Sequence, residues 1–303
     1  PSLPQPDAQK NWTLALSSVG VADTISAFEE RVQLTVGVRR QQVTQDNFDT
    51  STGLVSSSYD QGAWSPAYAL VVKPLENVSL YANYIEGLQQ GTVVGSAYGN
   101  AGQVFPPFQS KQIETGVKVD WGRLTTTASL FEITQPSMIA IKDRGLDYLR
   151  RDGRQRNRGI ELDLFGEVTD GVRLLGGLTL LDARLTKTEG GVNDGHRAVA
   201  APDRQLTMGV EWDTPFAPGF TLNGRVLHSS RQYLDAANSL SIPGYARIDL
   251  GARYKLDGPW GKPMTLRFNV ENVGGATYWA YPYYGTASVA QPRTFILSTS
   301  VDF

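Results

Sequence analysis

The chain has 303 residues, and its 28 Lys and Arg residues nearly balance its 30 Asp and Glu residues, which gives a formal net charge of −2. This balance disfavours a nucleic-acid-binding protein, which usually carries a strong basic excess. There is no cysteine, so a disulfide framework, a zinc–thiolate site and a thiol nucleophile are excluded. Only two histidines occur, His196 and His228, so a His-rich metal site is excluded, and no metal ligands are predicted. No apolar run reaches the roughly 18 residues of a transmembrane helix.

Apolar and polar residues alternate along most of the chain, which predicts β-strands with one apolar and one polar face. In the segment 264–272, for example, Leu266, Phe268 and Val270 share one face, and polar residues occupy the other. No segment keeps a period of 3.6 residues, so the chain is predicted to be all-β. About thirteen strands are predicted, in chain order, at 12–27, 32–45, 63–73, 78–87, 110–121, 123–142, 148–168, 172–185, 203–214, 219–233, 244–256, 263–272 and 294–303.

The connections between these strands alternate between short and long. The short connections carry the Gly, Pro, Asp and Asn residues of hairpin turns. Long loops are predicted at 45–62, 87–110, 142–148, 186–202, 234–243 and 274–292. Short turns at one rim and long loops at the other are typical of an antiparallel transmembrane β-barrel of the outer membrane, with its loops outside the cell.

A soluble β-sandwich or a β-propeller would also show alternation. The segments 123–142 and 148–168 are longer than the ~5–6 residues of a typical soluble strand. The polar faces carry charged residues, as suits a water-filled lumen, and no repeat of the blade type is present. These features favour the membrane barrel.

Sequence motifs near the C-terminal end are the most specific feature of the chain. Residues 266–278 read LRFNVENVGGATY. In this stretch Asn269, Asn272 and Tyr278 match the pattern N-x-x-N-L-F-D-x-x-Y, although 273–275 depart from it, and the stretch thereby resembles the penultimate strand of TonB-dependent siderophore receptors. The stretch 292–294 is similar to the G-x-P-R-T entry into the last strand. That strand ends in Phe303, which resembles the C-terminal insertion signal of outer-membrane proteins. Shorter resemblances follow in family order at 20–25, 34–39, 81–86, 114–118 and 159–163.

The resemblance implies a 22-stranded barrel that encloses an N-terminal plug. Thirteen strands would be the last thirteen of that barrel, so residues 1–303 are expected to be its C-terminal portion, without the plug and the first strands. An odd strand number is also unusual for a complete bacterial barrel. The implied function is TonB-coupled uptake of a ferric siderophore across the bacterial outer membrane, with no cofactor. Another solute, such as a cobalamin or an oligosaccharide, and passive diffusion through a porin are the alternatives.

The partners implied by the resemblance are a ferric siderophore, TonB through the missing N-terminal region, outer-membrane lipid, lipopolysaccharide and the barrel assembly machinery. Aromatic residues of the long loops are suited to stacking on a flat iron complex, and arginines would attract an anionic ligand. The same aromatics could instead pack loop against loop, and the arginines could pair with carboxylates or lipopolysaccharide phosphates. The candidate ligand contacts are Tyr278, Trp279, Tyr281, Tyr283, Tyr284, Tyr98, Phe105, Phe108, Arg150 and Arg151.

Catalysis is not expected. His228 and Ser229 are adjacent on a predicted strand and therefore point to opposite faces. Ser230 shares a face with His228, but the pattern of the strand makes that face the apolar one. His196 lies in a loop rich in Gly and Asp and is expected to be a surface residue.

Overall fold

The computed structural model describes residues 9–258, 261–280 and 287–301. Thirteen long strands form a single antiparallel sheet in which spatial order follows chain order, so every connection is a hairpin. This sheet confirms the all-β prediction and the thirteen strands. The long strands are β1 (Trp12–Ala27), β2 (Val32–Phe48), β3 (Val55–Leu75), β4 (Val78–Gln89), β5 (Phe108–Asp120), β6 (Leu124–Asp143), β7 (Leu146–Thr169), β8 (Val172–Lys187), β9 (Arg204–Asp213), β10 (Phe220–Ser229), β13 (Tyr245–Asp257), β14 (Pro263–Glu271) and β17 (Thr294–Val301).

The remaining elements lie in the long loops. Two small hairpins pair β11 (Gln232–Tyr233) with β12 (Ser241–Ile242) and β15 (Trp279–Ala280) with β16 (Ser288–Val289). A single 3-10 turn occupies Glu189–Gly191. Among the described residues no helix is long and apolar enough to cross a membrane.

Two of the predicted long loops, 45–62 and 142–148, are mostly strand, so these two predictions were wrong. β2 and β3 continue to Phe48 and from Val55, which leaves a loop of only six residues, and β6 and β7 extend until two residues separate them. The extensions carry polar residues on both faces, as in the bond from Ser58 Oγ to Asp46 Oδ1 at 2.7 Å. Because both faces of these extensions are polar, alternation disappears although the backbone ladder continues. The opposite error occurs at 219–233, where the predicted strand was too long, since β10 ends at Ser229.

The two faces of the sheet differ sharply. On β13, Ile248 and Leu250 are 50% and 49% exposed, whereas Asp249 between them is buried. We call the side with the exposed aliphatic residues the apolar face and the other the polar face. A soluble protein would bury the aliphatic side and expose the carboxylate. The inverse arrangement is that of a barrel wall with lipid outside and a polar lumen inside.

The polar face is held together by ion pairs between neighbouring strands. Arg173 on β8 donates to Glu211 at 3.0 Å and to Asp213 at 2.6 Å, both on β9. Arg253 on β13 reaches Glu211 at 3.4 Å, and the Thr221 hydroxyl donates to Asp213 at 2.6 Å. These contacts pair the charged groups of the polar face and connect β8, β9, β10 and β13 at the end of the sheet nearest the short turns.

Candidate ligand site

The loop between β4 and β5 folds back onto the β6–β7 hairpin. Asn100 makes the attachment, because its Nδ2 donates to the Leu149 carbonyl at 2.8 Å and its Oδ1 accepts from the Leu149 N–H at 3.0 Å. A bridge between Val93 and Val104 closes the loop on itself. The loop thus has a defined position beside the start of β7.

This attachment brings together three of the predicted ligand residues. Phe105, Arg150 and Arg151 line a cavity of about 660 Å³ together with Tyr148, and we call it the loop cavity. Arg151 Nη1 donates to the Pro107 carbonyl at 3.3 Å, which fixes the guanidinium against the loop. An aromatic ring, a phenol and two cations therefore border one space near the external rim.

The other two residues predicted from this loop are placed differently. Tyr98 is half-buried in a turn, where its N–H donates to the Gly95 carbonyl at 3.3 Å. Phe108 begins β5 and is only 8% exposed. Its ring is enclosed by the protein and presents no surface to a ligand in this structure.

The last loop supplies a second aromatic group. Tyr278 stacks on Tyr245 with ring centroids 3.9 Å apart and planes inclined by 14°, and Trp279 of β15 is exposed. One face of Tyr278 is therefore already occupied by protein. The predicted residues Tyr281, Tyr283, Tyr284 and Phe303 lie outside the described residues.

Below the tyrosine pair, charged residues gather on the polar face around one buried carboxylate. Asp249 accepts from Arg247 at 2.8 Å and from Arg225 at 2.7 Å. Glu271 lies 3.6 Å from Arg247 and 3.8 Å from Arg225. The backbone N–H of Asn272 donates to the second Asp249 oxygen at 2.8 Å. We call these five residues the Asp249 cluster.

The Asp249 cluster also anchors the base of the last loop. Asn272 is fully buried with a φ of 54°, and its side-chain Oδ1 and Nδ2 bond to Ala276 N and O, each at 2.8 Å. The position of Tyr278 is thereby tied to the arginines of the wall. Arg247 and Asp249 share one face of β13 by simple alternation, but neither was predicted as a site residue. Tyr245, Arg225 and Tyr148 were not predicted either.

Two further loops are cross-linked at the same rim. Asn238 Oδ1 accepts from the Arg197 N–H at 2.8 Å, and His196 Nδ1 lies 3.0 Å from the Ala236 carbonyl. His196 is half-buried between the two loops. The Ser239 hydroxyl and the Leu240 N–H donate to Asp235, which holds the pKa of that carboxyl below its usual range.

The side chains that meet at this rim are suited to binding a ligand. Within residues 9–258, 261–280 and 287–301 no cluster of His, Cys, Asp and Glu could hold a metal ion. Ser229, beside His228, is buried and directs its hydroxyl at the Ser230 carbonyl, 3.5 Å away. Aromatic rings, phenols and paired arginines can stack on and hydrogen-bond an anionic organic ligand.

Comparison with known proteins agrees with this architecture. The chain is 40% identical to the ferrichrome receptor FcuA of Yersinia enterocolitica over 309 aligned positions, which cover 98% of this chain and 40% of FcuA. It is 28% identical to the ferrioxamine B receptor of Salmonella typhimurium, with 84% of this chain and 37% of that receptor covered. The crystal structure of BauA, the ferric preacinetobactin receptor of Acinetobacter baumannii, superposes with a TM-score of 0.85 at 43% identity, covering 96% of this chain and 43% of BauA.

The chain spans about 40% of the length of the curated relatives it matches. Residues 2–273 match the family described as TonB dependent receptor-like, beta-barrel. The chain therefore belongs to the family of TonB-dependent receptors, as part of their β-barrel.

Proposed function

We propose that the receptor containing this chain takes up a ferric siderophore through TonB-coupled transport, and that residues 1–303 are the C-terminal portion of its barrel domain. The observation that carries this proposal is the loop cavity, in which Phe105, Tyr148, Arg150 and Arg151 converge at the rim bearing the long loops. Its relatives FcuA and BauA are named as receptors for ferrichrome and ferric preacinetobactin, which supports the ligand class. The chain itself is a component of the bacterial outer membrane, where this family of transport receptors resides.

The tyrosine pair and the Asp249 cluster would form a deeper part of the same vestibule. Tyr245, Arg247 and Asp249 alternate along β13 on the polar face, below the last loop. A ligand that enters between the loops would meet the loop cavity first and this group next. We propose no resident cofactor, because the ferric siderophore is cargo.

A domain inside the barrel would cover apolar side chains that the polar face leaves exposed. Phe165 and Leu175 are cross-strand partners on the polar face and are 66% and 64% exposed. Burial of such side chains typically yields about 1.5–3 kcal/mol each, so a plug that covered them would gain stability. We propose that the plug precedes the barrel, that TonB engages the receptor through that N-terminal region, and that the barrel assembly machinery inserts the chain beside lipid and lipopolysaccharide.

The experiment that tests this function measures binding by the purified intact receptor. Tryptophan fluorescence is followed while ferric hydroxamate siderophores, ferric catecholate siderophores, cobalamin and an oligosaccharide are added separately. We expect saturable quenching by a ferric siderophore and no response to the other two solutes. Saturable binding of cobalamin or of the oligosaccharide alone would overturn the siderophore assignment.

Replacement of both Arg150 and Arg151 by Gln should weaken siderophore binding about tenfold, since each charge-assisted hydrogen bond contributes roughly 1.5–3 kcal/mol and solvent at the rim reduces this gain. The affinity is read from the same fluorescence titration. Arg144 at the tip of the β6–β7 hairpin provides the control, because Arg144→Gln removes a cation from the same hairpin outside the cavity lining. Equal affinities for the two variants would exclude the loop cavity from ligand binding.

A further inference from the structure

Residues 90–107, which connect β4 to β5, form a strap that is attached to the sheet at two places. Near its start, the N–H of Gly91 donates to the hydroxyl of Tyr59 on β3 at 3.0 Å. In its middle, the N–H of Gly99 donates to the carbonyl of Asp147 at 2.8 Å, beside the side-chain attachment described above. The strap therefore reaches from β3 to the start of β7, past the ends of β4, β5 and β6.

Register places both attachments on the polar face. Leu70 of β3 lies in one row with Leu130 of the apolar face. Tyr59 is an odd number of positions from Leu70 on the same strand, so its side chain points to the other face. Tyr148 pairs with Ile141, which is likewise an odd number of positions from Leu130 on β6. The strap therefore crosses the inner side of the sheet, at the end that bears the long loops.

Apolar side chains are buried where the strap meets the wall. Val94 and Pro107 of the strap are buried, and so are Tyr59 of β3 and Phe108 at the start of β5. Segments that open readily are drawn from parts of a protein with few buried apolar contacts. The strap instead has the burial of a fixed element.

Both attachments depend on glycine because the strap approaches its neighbours closely. A Cβ at Gly91 would collide with the Phe105 carbonyl oxygen and lie 2.7 Å from the Tyr59 hydroxyl, and a Cβ at Gly99 would lie 2.7 Å from the Tyr148 ring. Neither glycine has a left-handed φ, so lack of space, and not backbone conformation, excludes a side chain there.

The position of the strap sets the shape of the loop cavity. Phe105 lies on the strap, and its N–H donates to the Thr92 carbonyl at 2.8 Å within the strap itself. Tyr148, Arg150 and Arg151 line the cavity from β7. One wall of the cavity therefore belongs to the strap and the other to β7, and the two attachments fix the distance between these walls.

We propose that the strap is a fixed wall of the ligand site, and that Tyr59 and Asn100 are positioning residues that hold the loop cavity in its binding shape before a ligand arrives. The proposal rests on the proposed function for the class of ligand. A wall that is already in place spares the ligand the entropic cost of ordering a loop. Binding then occurs in one step, without closure of the strap over the ligand.

Hydrogen exchange of the intact receptor without siderophore tests the fixed strap directly. Mass spectrometry of peptides that cover 90–107 and 146–152 should show slow exchange before any ligand is added. Tyr59→Phe and Asn100→Ala should each raise exchange about tenfold at the attachment that the variant removes. Exchange across 90–107 in the wild-type receptor that is as fast as in an unfolded peptide would overturn the proposal, whatever the receptor transports.

Stopped-flow tryptophan fluorescence tests the effect on binding, with a ferric hydroxamate and a ferric catecholate siderophore as probes. For the wild type we expect a single phase whose rate rises linearly with siderophore concentration. Gly91→Ala displaces the strap from Tyr59, and it should weaken binding about tenfold and add a slow phase whose rate saturates. Gly95→Ala is the matched control, because a Cβ at Gly95 meets nothing within 4 Å.

Tyr59→Phe removes only the hydroxyl and should change the kinetics in the same direction as Gly91→Ala, and the electrophoretic shift on heating identifies folded barrels. A saturating phase in the wild type would show that the strap closes over the ligand and would overturn the proposal. Wild-type kinetics in both folded variants would overturn it as well. If neither siderophore binds, the proposed function fails, and the exchange measurement alone decides whether the strap is fixed.

Discussion

Leu162→Arg is expected to lower the free energy of unfolding of the barrel by about 2–4 kcal/mol, the cost of an arginine near the middle of the lipid face. Leu162 lies on the apolar face, opposite Ala128 on β6 and Leu178 on β8. In a water-exposed sheet the same change would cost little, because surface substitutions usually stay within about 0.5 kcal/mol. Guanidinium unfolding of the intact receptor in lipid vesicles measures the difference.

Leu146→Arg is the matched control. Leu146 is 56% exposed and Leu162 is 44% exposed, but Leu146 lies at the tip of the β6–β7 hairpin, far along β7 from Leu162. We expect no change in the free energy of unfolding beyond about 0.5 kcal/mol for this variant. If both arginines had the same small effect, the apolar face would not contact lipid.

Asp249→Asn is expected to lower the free energy of unfolding by about 2–3 kcal/mol. The substitution removes the charge on which Arg225 and Arg247 converge, and loss of one partner from a buried ion pair costs about 3–5 kcal/mol. We expect less than that range because the Arg225 side chain is 45% exposed and Glu271 retains a contact with each arginine. The midpoint of guanidinium unfolding measures the effect.

The control for this substitution is Asp170→Asn. Asp170 pairs with Arg123 at 2.6 Å, but its side chain is 93% exposed in the β7–β8 turn, and exposed ion pairs contribute little to stability. Asp249→Asn should also loosen the last loop, because Asp249 holds the N–H of Asn272. Equal unfolding midpoints for the two variants would contradict the role assigned to the Asp249 cluster.

The sequence was sufficient to predict the strands only where the two faces differ. Lipid on one side and a polar lumen on the other impose alternation on β13 and β14, and these strands were predicted within one residue of their bounds. In the extensions of β2 and β3, polar residues occupy both faces, as in the adjacent cross-strand pairs Asp46–Ser58 and Asn47–Ser57, whose side chains are bonded at 2.7 and 3.0 Å. Cross-strand bonding continues there without a periodic signal.

Residue types of the candidate site could be predicted, but their neighbours could not. The aromatic composition of the last loop was enough to predict Tyr278 as a ligand residue. The stacking of Tyr278 on Tyr245 depends on how Asn272 anchors the loop, which composition does not reveal. Likewise, the stretch 150–158 is rich in arginine, and its composition does not show which arginines face which side of the sheet. Only the register with β8 reveals that Arg156 lies beside Arg184 on the apolar face.

The most direct test of the proposed transport function is uptake of radioactive iron by cells that carry the intact receptor as their only siderophore receptor. Uptake of the siderophore identified by the binding titration is compared in otherwise identical cells with and without TonB. We predict saturable uptake that is lost when TonB is absent and reduced when Arg150 and Arg151 are both replaced by Gln. Uptake that is unsaturable and independent of TonB would indicate passive diffusion and contradict the proposed function.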